Sequence, residues 1–248
     1  MARLDRHQYL IHMGYDGSRF FGVPPQRGVP TVSDALRARL EDAAGQKARA
    51  LGFTARTDRG VWAEHNMATC WFLPPLDAAR FEHDVAVDRD DGLFGVRAEA
   101  TGFHTHARNV SAGKWYRYRL RIDGQPDPRA WSVSRPMDAA CMRWLAAQFT
   151  GTHDFNAYRY KCSSPNRVKT IQRFDIEDQG AVWAIDIEGD GFLRHMVRKL
   201  VSVLVLAGLG EYDPARAVEL LHAGAERGTP KAAPPEGLTL VRIHRSNT

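Results

Sequence analysis

Cysteine is scarce in this chain. Only Cys70, Cys141 and Cys162 occur in 248 residues. They lie far apart and form no C-x-x-C pair, so neither a disulfide framework nor a cysteine zinc site is indicated, and a reducing compartment is expected. Long apolar runs are missing too. The most apolar stretch, Leu200–Leu209, has ten residues, where a bilayer-spanning helix needs about 20. Met1–Asp5 carries no apolar signal region, and the expectation is a soluble, cytoplasmic protein. There is no G-x-x-x-x-G-K-[ST] loop and no strand-linked G-x-G-x-x-G, which leaves nucleotide-dependent chemistry without support. His104 and His106 form an H-x-H, yet no carboxylate or third histidine stands at ligand spacing, so no metal site is expected. No repeat period is visible, and the only biased segment is the proline-rich Thr229–Pro235.

Charge of neither sign dominates. Lys and Arg number 34 against 29 Asp and Glu, a formal charge of +5, and the isoelectric point is near 9.3. Such an excess permits a polyanionic partner without requiring one. The placement of the arginines says more. Tyr116-Arg117-Tyr118-Arg119 and Tyr158-Arg159-Tyr160-Lys161 interleave rings that can stack on bases with cations that can hold phosphates. A β-strand with one buried and one solvated face accounts for either run equally well. With 44% hydrophobic residues the chain can bury a core as one large domain or two small ones.

Local patterns predict the elements. Gln8–Gly14 alternates as a strand and ends at the Asp16-Gly17 turn. Thr31 with Asp34 caps a helix whose Val32, Ala35, Leu36, Arg39, Leu40 and Ala43 keep helical spacing until Gly45 stops it. Ala50–Thr54 and Met67–Phe72 read as strands, Pro74–Gly102 as irregular connection with a short helix, and Trp115–Ile122 as a strand. Asp138–Phe149 reads as a helix with Cys141, Leu145 and Phe149 on one face. Thr170–Ile176 and Ala181–Glu188 form a hairpin about Asp178-Gln179-Gly180, and Leu238–His244 is a closing strand. A helix from near Gly191 is predicted to carry an apolar stripe of Leu193, Met196, Val197, Leu200, Val201 and Leu204. A cationic stripe of Arg194 with Arg198 and His195 with Lys199 would run beside it. Strand–helix–strand units on both sides of about residue 105 suggest α+β subdomains at 1–105 and 106–248.

The most informative run is Ala55-Arg56-Thr57-Asp58-Arg59-Gly60-Val61. Flanking guanidinium groups favour the ionised Asp58, which is then available as a nucleophile or charge partner; an arbitrary run of this kind is a surface ion-pair turn. Further motifs accompany it in order: Tyr15-Asp16-Gly17-Ser18-Arg19-Phe20-Phe21-Gly22, Pro30-Thr31-Val32, His106-Ala107-Arg108 and Lys114-Trp115-Tyr116-Arg117-Tyr118. Gly151-Thr152-His153-Asp154-Phe155, Gly191-Phe192-Leu193-Arg194-His195-Met196-Val197-Arg198 and Glu236-Gly237-Leu238 complete the set. Together they resemble the TruA family of tRNA pseudouridine synthases from about residue 8 to 243.

That resemblance implies two α/β subdomains sharing a mixed, mainly antiparallel sheet, with a central RNA-binding cleft. It implies isomerisation of uridine to pseudouridine in the tRNA anticodon arm by a homodimer, without cofactor or metal. Asp58 becomes the catalytic aspartate, either attacking C1′ or assisting formation of a glycal. Tyr116 becomes the ring stacked on the target uracil, and Arg198 the arginine paired with aspartate and substrate. Arg56 becomes the residue that helps displace the target nucleotide; Arg59 and Arg194 are further substrate-binding candidates. Tyr118 is assigned to the opposite sheet face from Tyr116 and to the core. His153-Asp154 is read as a loop hydrogen bond. The chain also departs from the family. Trp62 stands where a histidine is usual, the Gly-Trp-Gln turn becomes Phe21-Gly22-Val23-Pro24-Pro25-Gln26, and the segment from Pro75 to Gly102 is shortened. These changes bear on substrate choice. A catalytically weak or silent tRNA-binding paralogue is the alternative reading, opposed by the joint presence of Asp58, Tyr116 and Arg198. A glycosidase-like hydrolase would want a second carboxylate.

Overall fold

The computed structural model describes residues 6–102, 105–160, 166–224 and 228–246. Met1–Asp5, His104, Lys161 and Cys162, which figured in the sequence reading, lie outside the described residues. The chain divides into two compact units, Met1–Ala112 with Leu240–Thr248, and Gly113–Thr239. Both are α+β with mainly antiparallel strands.

In the first unit, β1 (His7–Tyr15) is followed by α1 (Val32–Ala44), β2 (Arg49–Phe53) and β3 (Trp62–Phe72), then α2 (Ala78–Ala86) and β4 (Leu93–Ala100). Both ends of α1 are local choices. The Thr31 hydroxyl accepts from Asp34 N–H at 3.2 Å, and Gly45 ends the helix at φ +63°, a conformation costly for other residues. β1 is central, antiparallel to both β3 and β4. Its Tyr9 packs on Phe81 of α2 with ring centroids 4.7 Å apart, and Phe72 lies 5.0 Å from the same ring.

β4 corrects the sequence reading, which left residues 87–102 irregular. Its alternation is broken by Gly95 at φ +55° and by a register shift opposite His12–Gly14. A bulge of this kind puts two residues against one and erases the period-two signal. The pairing with β1 supplies what the pattern lacks.

The second unit contains β5 (Ser111–Arg121), β6 (Trp131–Ser132), α3 (Ala139–Phe149), β7 (Gly151–Asp154), β8 (Val168–Gln179), β9 (Val182–Gly189), α4 (Met196–Gly208) and α5 (Pro214–His222). Strand order is β5-β9-β8-β7, with β6 parallel to β5. β10 (Leu238–Arg245) ends the described chain, and its greater part belongs to the first unit, beside β3. In α3 the buried face is Met142, Leu145, Ala146 and Phe149. Cys141, expected on that face, is half-exposed in the first turn, where its N–H donates to Asp138 Oδ1 at 2.9 Å. Helix α5 was not anticipated, although Asp213 caps it and Pro214 occupies its first turn, a common helix start.

α4 differs from expectation in two ways. It begins at Met196, with His195 as N-cap at φ +62°, so Leu193, Arg194 and His195 lie before the helix. Val203, Val205 and Ser202 are buried along with the expected apolar positions. The helix is therefore enclosed nearly all round, and the cationic stripe contracts to Arg198 and Lys199.

Candidate active site

In the first unit, residues 54–61 join β2 to β3 and carry the Asp58 run. Asp58-Arg59-Gly60-Val61 closes as a β-turn, with Val61 N–H donating to Asp58 C=O at 3.2 Å and Gly60 at φ +80°. Positive φ at the third position is the type II requirement and explains the glycine. Along the approach, Ala55 and Thr57 are buried, Arg56 is exposed and Asp58 is half-buried. Arg59 is exposed as well, its guanidinium lying 4.0 Å from the Phe21 ring centroid, within cation–π range.

Neighbouring segments hold this loop closely. Val23 N–H donates to Thr57 C=O at 3.2 Å. A Cβ on Gly22, which has φ +98°, would lie 3.0 Å from that carbonyl oxygen and 3.3 Å from the Asp58 carbonyl carbon. On the other flank, a Cβ on Gly17 would lie 2.5 Å from the Val61 carbonyl. Beneath the loop is a buried polar cluster that the sequence reading missed. Asn66 Nδ2 donates to Ala55 C=O at 2.9 Å and to the Tyr15 hydroxyl at 3.1 Å, while Asn66 Oδ1 accepts from Ala55 N–H at 3.3 Å. Tyr15 and Thr57 share a hydrogen bond of 2.9 Å between their hydroxyls. Burial pushes the Tyr15 phenol up to about 12, so it stays protonated at neutral pH. A lone Asn inside an apolar strand was the one available signal.

In the second unit, Tyr116 and Tyr118 point to the same side of β5, contrary to the expected opposition; they are 8% and 0% exposed. Residues two apart on a strand must share a face. The Tyr116 ring meets Phe192 edge-on at 5.4 Å, and the Tyr118 hydroxyl donates to Pro234 C=O at 2.8 Å. Burial raises the Tyr118 phenol far above its usual range. Trp115 and Arg117 turn the other way, onto fully buried Asp186. The indole donates at 2.8 Å, and the guanidinium pairs through two bonds of 2.9 and 2.7 Å. This part of the Tyr-Arg-Tyr-Arg run is thus a strand with two differently filled faces.

Arg198 Nε donates to Ala233 C=O at 2.7 Å, and Ala233 N–H returns a bond to Arg198 C=O at 3.0 Å. Lys199 Nζ reaches Thr229 Oγ1 at 2.6 Å, and burial lowers its pKa. The segment before β10 is thereby pinned to α4 and β5. Gly237 is obligatory there, because a Cβ would lie 2.7 Å from the Tyr118 ring. Exposed Arg194 sits 5.2 Å from the Tyr160 ring centroid, and His195 stacks on the same ring at 4.8 Å. The His153-Asp154 expectation is refined: the His153 ring pairs with Thr150 C=O at 3.0 Å, and Asp154 accepts from Asn156 N–H at 2.9 Å.

Among the described residues no group of three His, Cys, Asp or Glu is arranged to hold a metal ion. The chemistry on offer is a carboxylate on a fixed turn among exposed guanidinium groups in one unit, with rings and an anchored guanidinium in the other.

A family model for tRNA pseudouridine synthase matches residues 145–244. The tRNA pseudouridine synthase A of Acetivibrio thermocellus is 30% identical, over 93% of this chain and 96% of the relative. Its Neisseria gonorrhoeae counterpart is 30% identical, over 98% and 94%. A solved Cbf5–Nop10–Gar1 complex aligns at 13% identity and a TM-score of 0.37, covering 79% of this chain and 44% of that one.

Proposed function

We propose, from the premise that this chain belongs to the tRNA pseudouridine synthase A family, that it modifies uridines on the 3′ side of the tRNA anticodon arm, with Asp58 acting at the sugar. The family's reaction is an isomerisation. The N1–C1′ bond breaks, the uracil turns, C5 bonds to C1′, the C5 proton leaves to a base and N1 gains one. Atoms and electrons balance within the nucleotide, so no oxidant or outside group is needed.

The observation that carries the reading is the Asp58 turn, clamped from both flanks, with its buried neighbour Thr57 holding the strand below. A carboxylate that attacks C1′, or steadies positive charge there while a glycal forms, gains from such a fixed position because little reorganisation remains at the moment of reaction. Tyr116 supplies a stacking face for the uracil and Arg198 positive charge for the substrate. Exposed Arg56, Arg59 and Arg194 supply phosphate or base contacts. The first unit carries the aspartate loop, and the second carries the Tyr-Arg-Tyr strand and the basic end of α4. The working assembly is a homodimer on tRNA.

The test is incubation of unmodified tRNA with purified protein, pseudouridine being located by carbodiimide labelling and primer extension. The expected result is label in the anticodon arm with the parent protein and none with Asp58→Asn, tRNA affinity being retained. Full turnover by Asp58→Asn would remove Asp58 from the chemistry, and label confined to other arms would overturn the substrate assignment.

A further inference from the structure

Between β2 and the Asp58 turn, burial alternates from residue 55 onward. Ala55 and Thr57 go inward, Arg56 and Asp58 outward. Where successive side chains go to opposite sides of the chain, fixing one constrains the direction of its neighbours. What holds Thr57 inward therefore decides where Asp58 points. The Thr57 hydroxyl is 2.9 Å from Tyr15 Oη, and that phenol takes a hydrogen bond from Asn66 at 3.1 Å. The same Asn66 amide binds both Ala55 N–H and Ala55 C=O, as a neighbouring strand would. One amide thus fixes residue 55 directly and residue 57 through the phenol.

We propose that Tyr15, Thr57 and Asn66 are positioning residues for catalysis, a buried hydroxyl–phenol–amide chain that aims the Asp58 carboxylate without touching substrate. This rests on Asp58 being the catalytic carboxylate. All members are buried, Tyr15 and Asn66 completely and Thr57 to 6% exposure, so water does not replace a lost partner without rearrangement. Loss of the Thr57 hydroxyl leaves the Tyr15 phenol short of a partner and frees residue 57 to rotate. The carboxylate one residue on then samples other directions. A displacement of about 1 Å at a reacting group can cost about a hundredfold in rate.

The experiment compares Thr57→Val, which keeps the shape and deletes the hydroxyl, with Thr57→Ser, which keeps the hydroxyl, alongside Tyr15→Phe and Asp58→Asn. Single-turnover rate at saturating enzyme, tRNA affinity and thermal midpoint are read for each, with rates taken well below every variant's own midpoint. Thr57→Val and Tyr15→Phe should each lower the rate about 10- to 100-fold, with tRNA affinity within about twofold and a rate near the parent's for Thr57→Ser. The double variant should be little slower than either single one, because both cut the same link. A merely structural role would lower the midpoint and leave the single-turnover rate intact, and that outcome overturns the proposal. Should Thr57→Val fail to fold, Tyr15→Phe alone decides, since it deletes only the phenolic hydroxyl. An inactive Asp58→Asn beside fully active Thr57→Val and Tyr15→Phe sinks the positioning chain while leaving the Asp58 assignment standing. A fully active Asp58→Asn removes both.

Discussion

Gly22→Ala is the most direct perturbation of the Asp58 loop from outside it. Gly22 has φ +98°, and an added Cβ would stand 3.0 Å from Thr57 O, 3.2 Å from Arg59 N and 3.3 Å from Asp58 C. Placing an L-residue at that φ costs about 1–2 kcal/mol. All three atoms are backbone, so the Asp58 turn must retreat by a few tenths of an ångström, weakening the Val23 N–H to Thr57 C=O bond by up to about 1 kcal/mol. The total of about 1–3 kcal/mol corresponds to roughly 2–12 °C in thermal midpoint for a chain of this size. Gly28→Ala is the internal control. Gly28 has φ +79° and a Cβ there would meet nothing within 4 Å, so it carries the backbone cost alone, about 1–2 kcal/mol. Thermal denaturation should show a larger loss for Gly22→Ala. A pseudouridine assay well below both midpoints should show slowed turnover for Gly22→Ala and parental turnover for Gly28→Ala. Equal midpoints and equal rates would refute the argument that Gly22 is needed for close approach to the aspartate turn.

Other outcomes follow from the same geometry. With Tyr116 in its proposed stacking role, worth about 1–3 kcal/mol per base, Tyr116→Ala should slow turnover more than Tyr116→Phe, which deletes only the hydroxyl; steady-state kinetics separates the two. Asp186→Ala strands Arg117 and the Trp115 indole, and because Arg117 keeps 27% side-chain exposure the loss should fall near the low end for a broken buried pair, about 3 kcal/mol by urea denaturation. His65 is held down to about 4, by burial first and then by His12 and nearby arginines. Its folded pKa is thus below the unfolded value, so the neutral form stabilises the fold above pH 6.5 and that contribution is lost as pH falls from about 6.5 toward 4. His65→Gln should flatten the midpoint-versus-pH curve there. Activity is expected to survive exhaustive chelation when a polyamine keeps the tRNA folded, and rescue only by a transition metal would contradict a reaction run by side chains alone.

Much of this protein was legible without coordinates because short-range chemistry decides it. Thr31 and Gly45 set both ends of α1 through their own side chain and φ. The β8–β9 hairpin was legible, although its turn is Gly180-Ala181 and the expected turn residues Asp178 and Gln179 pair with β9; the Asp58 run announced itself by residue type and order, which is how the family resemblance became visible. The tertiary structure decided what local pattern cannot carry. β4 is a strand because β1 offers it hydrogen bonds across a bulge that erased its periodicity. α4 starts at Met196 rather than near Gly191 because His195 takes a positive φ with its ring stacked on Tyr160, a partner distant in sequence. The supports of Asp58, namely Tyr15, Gly22 and Asn66, come from three separate segments. Each makes sense only once the loop is packed on them, since a buried hydrogen bond between distant segments leaves no periodic trace in either one.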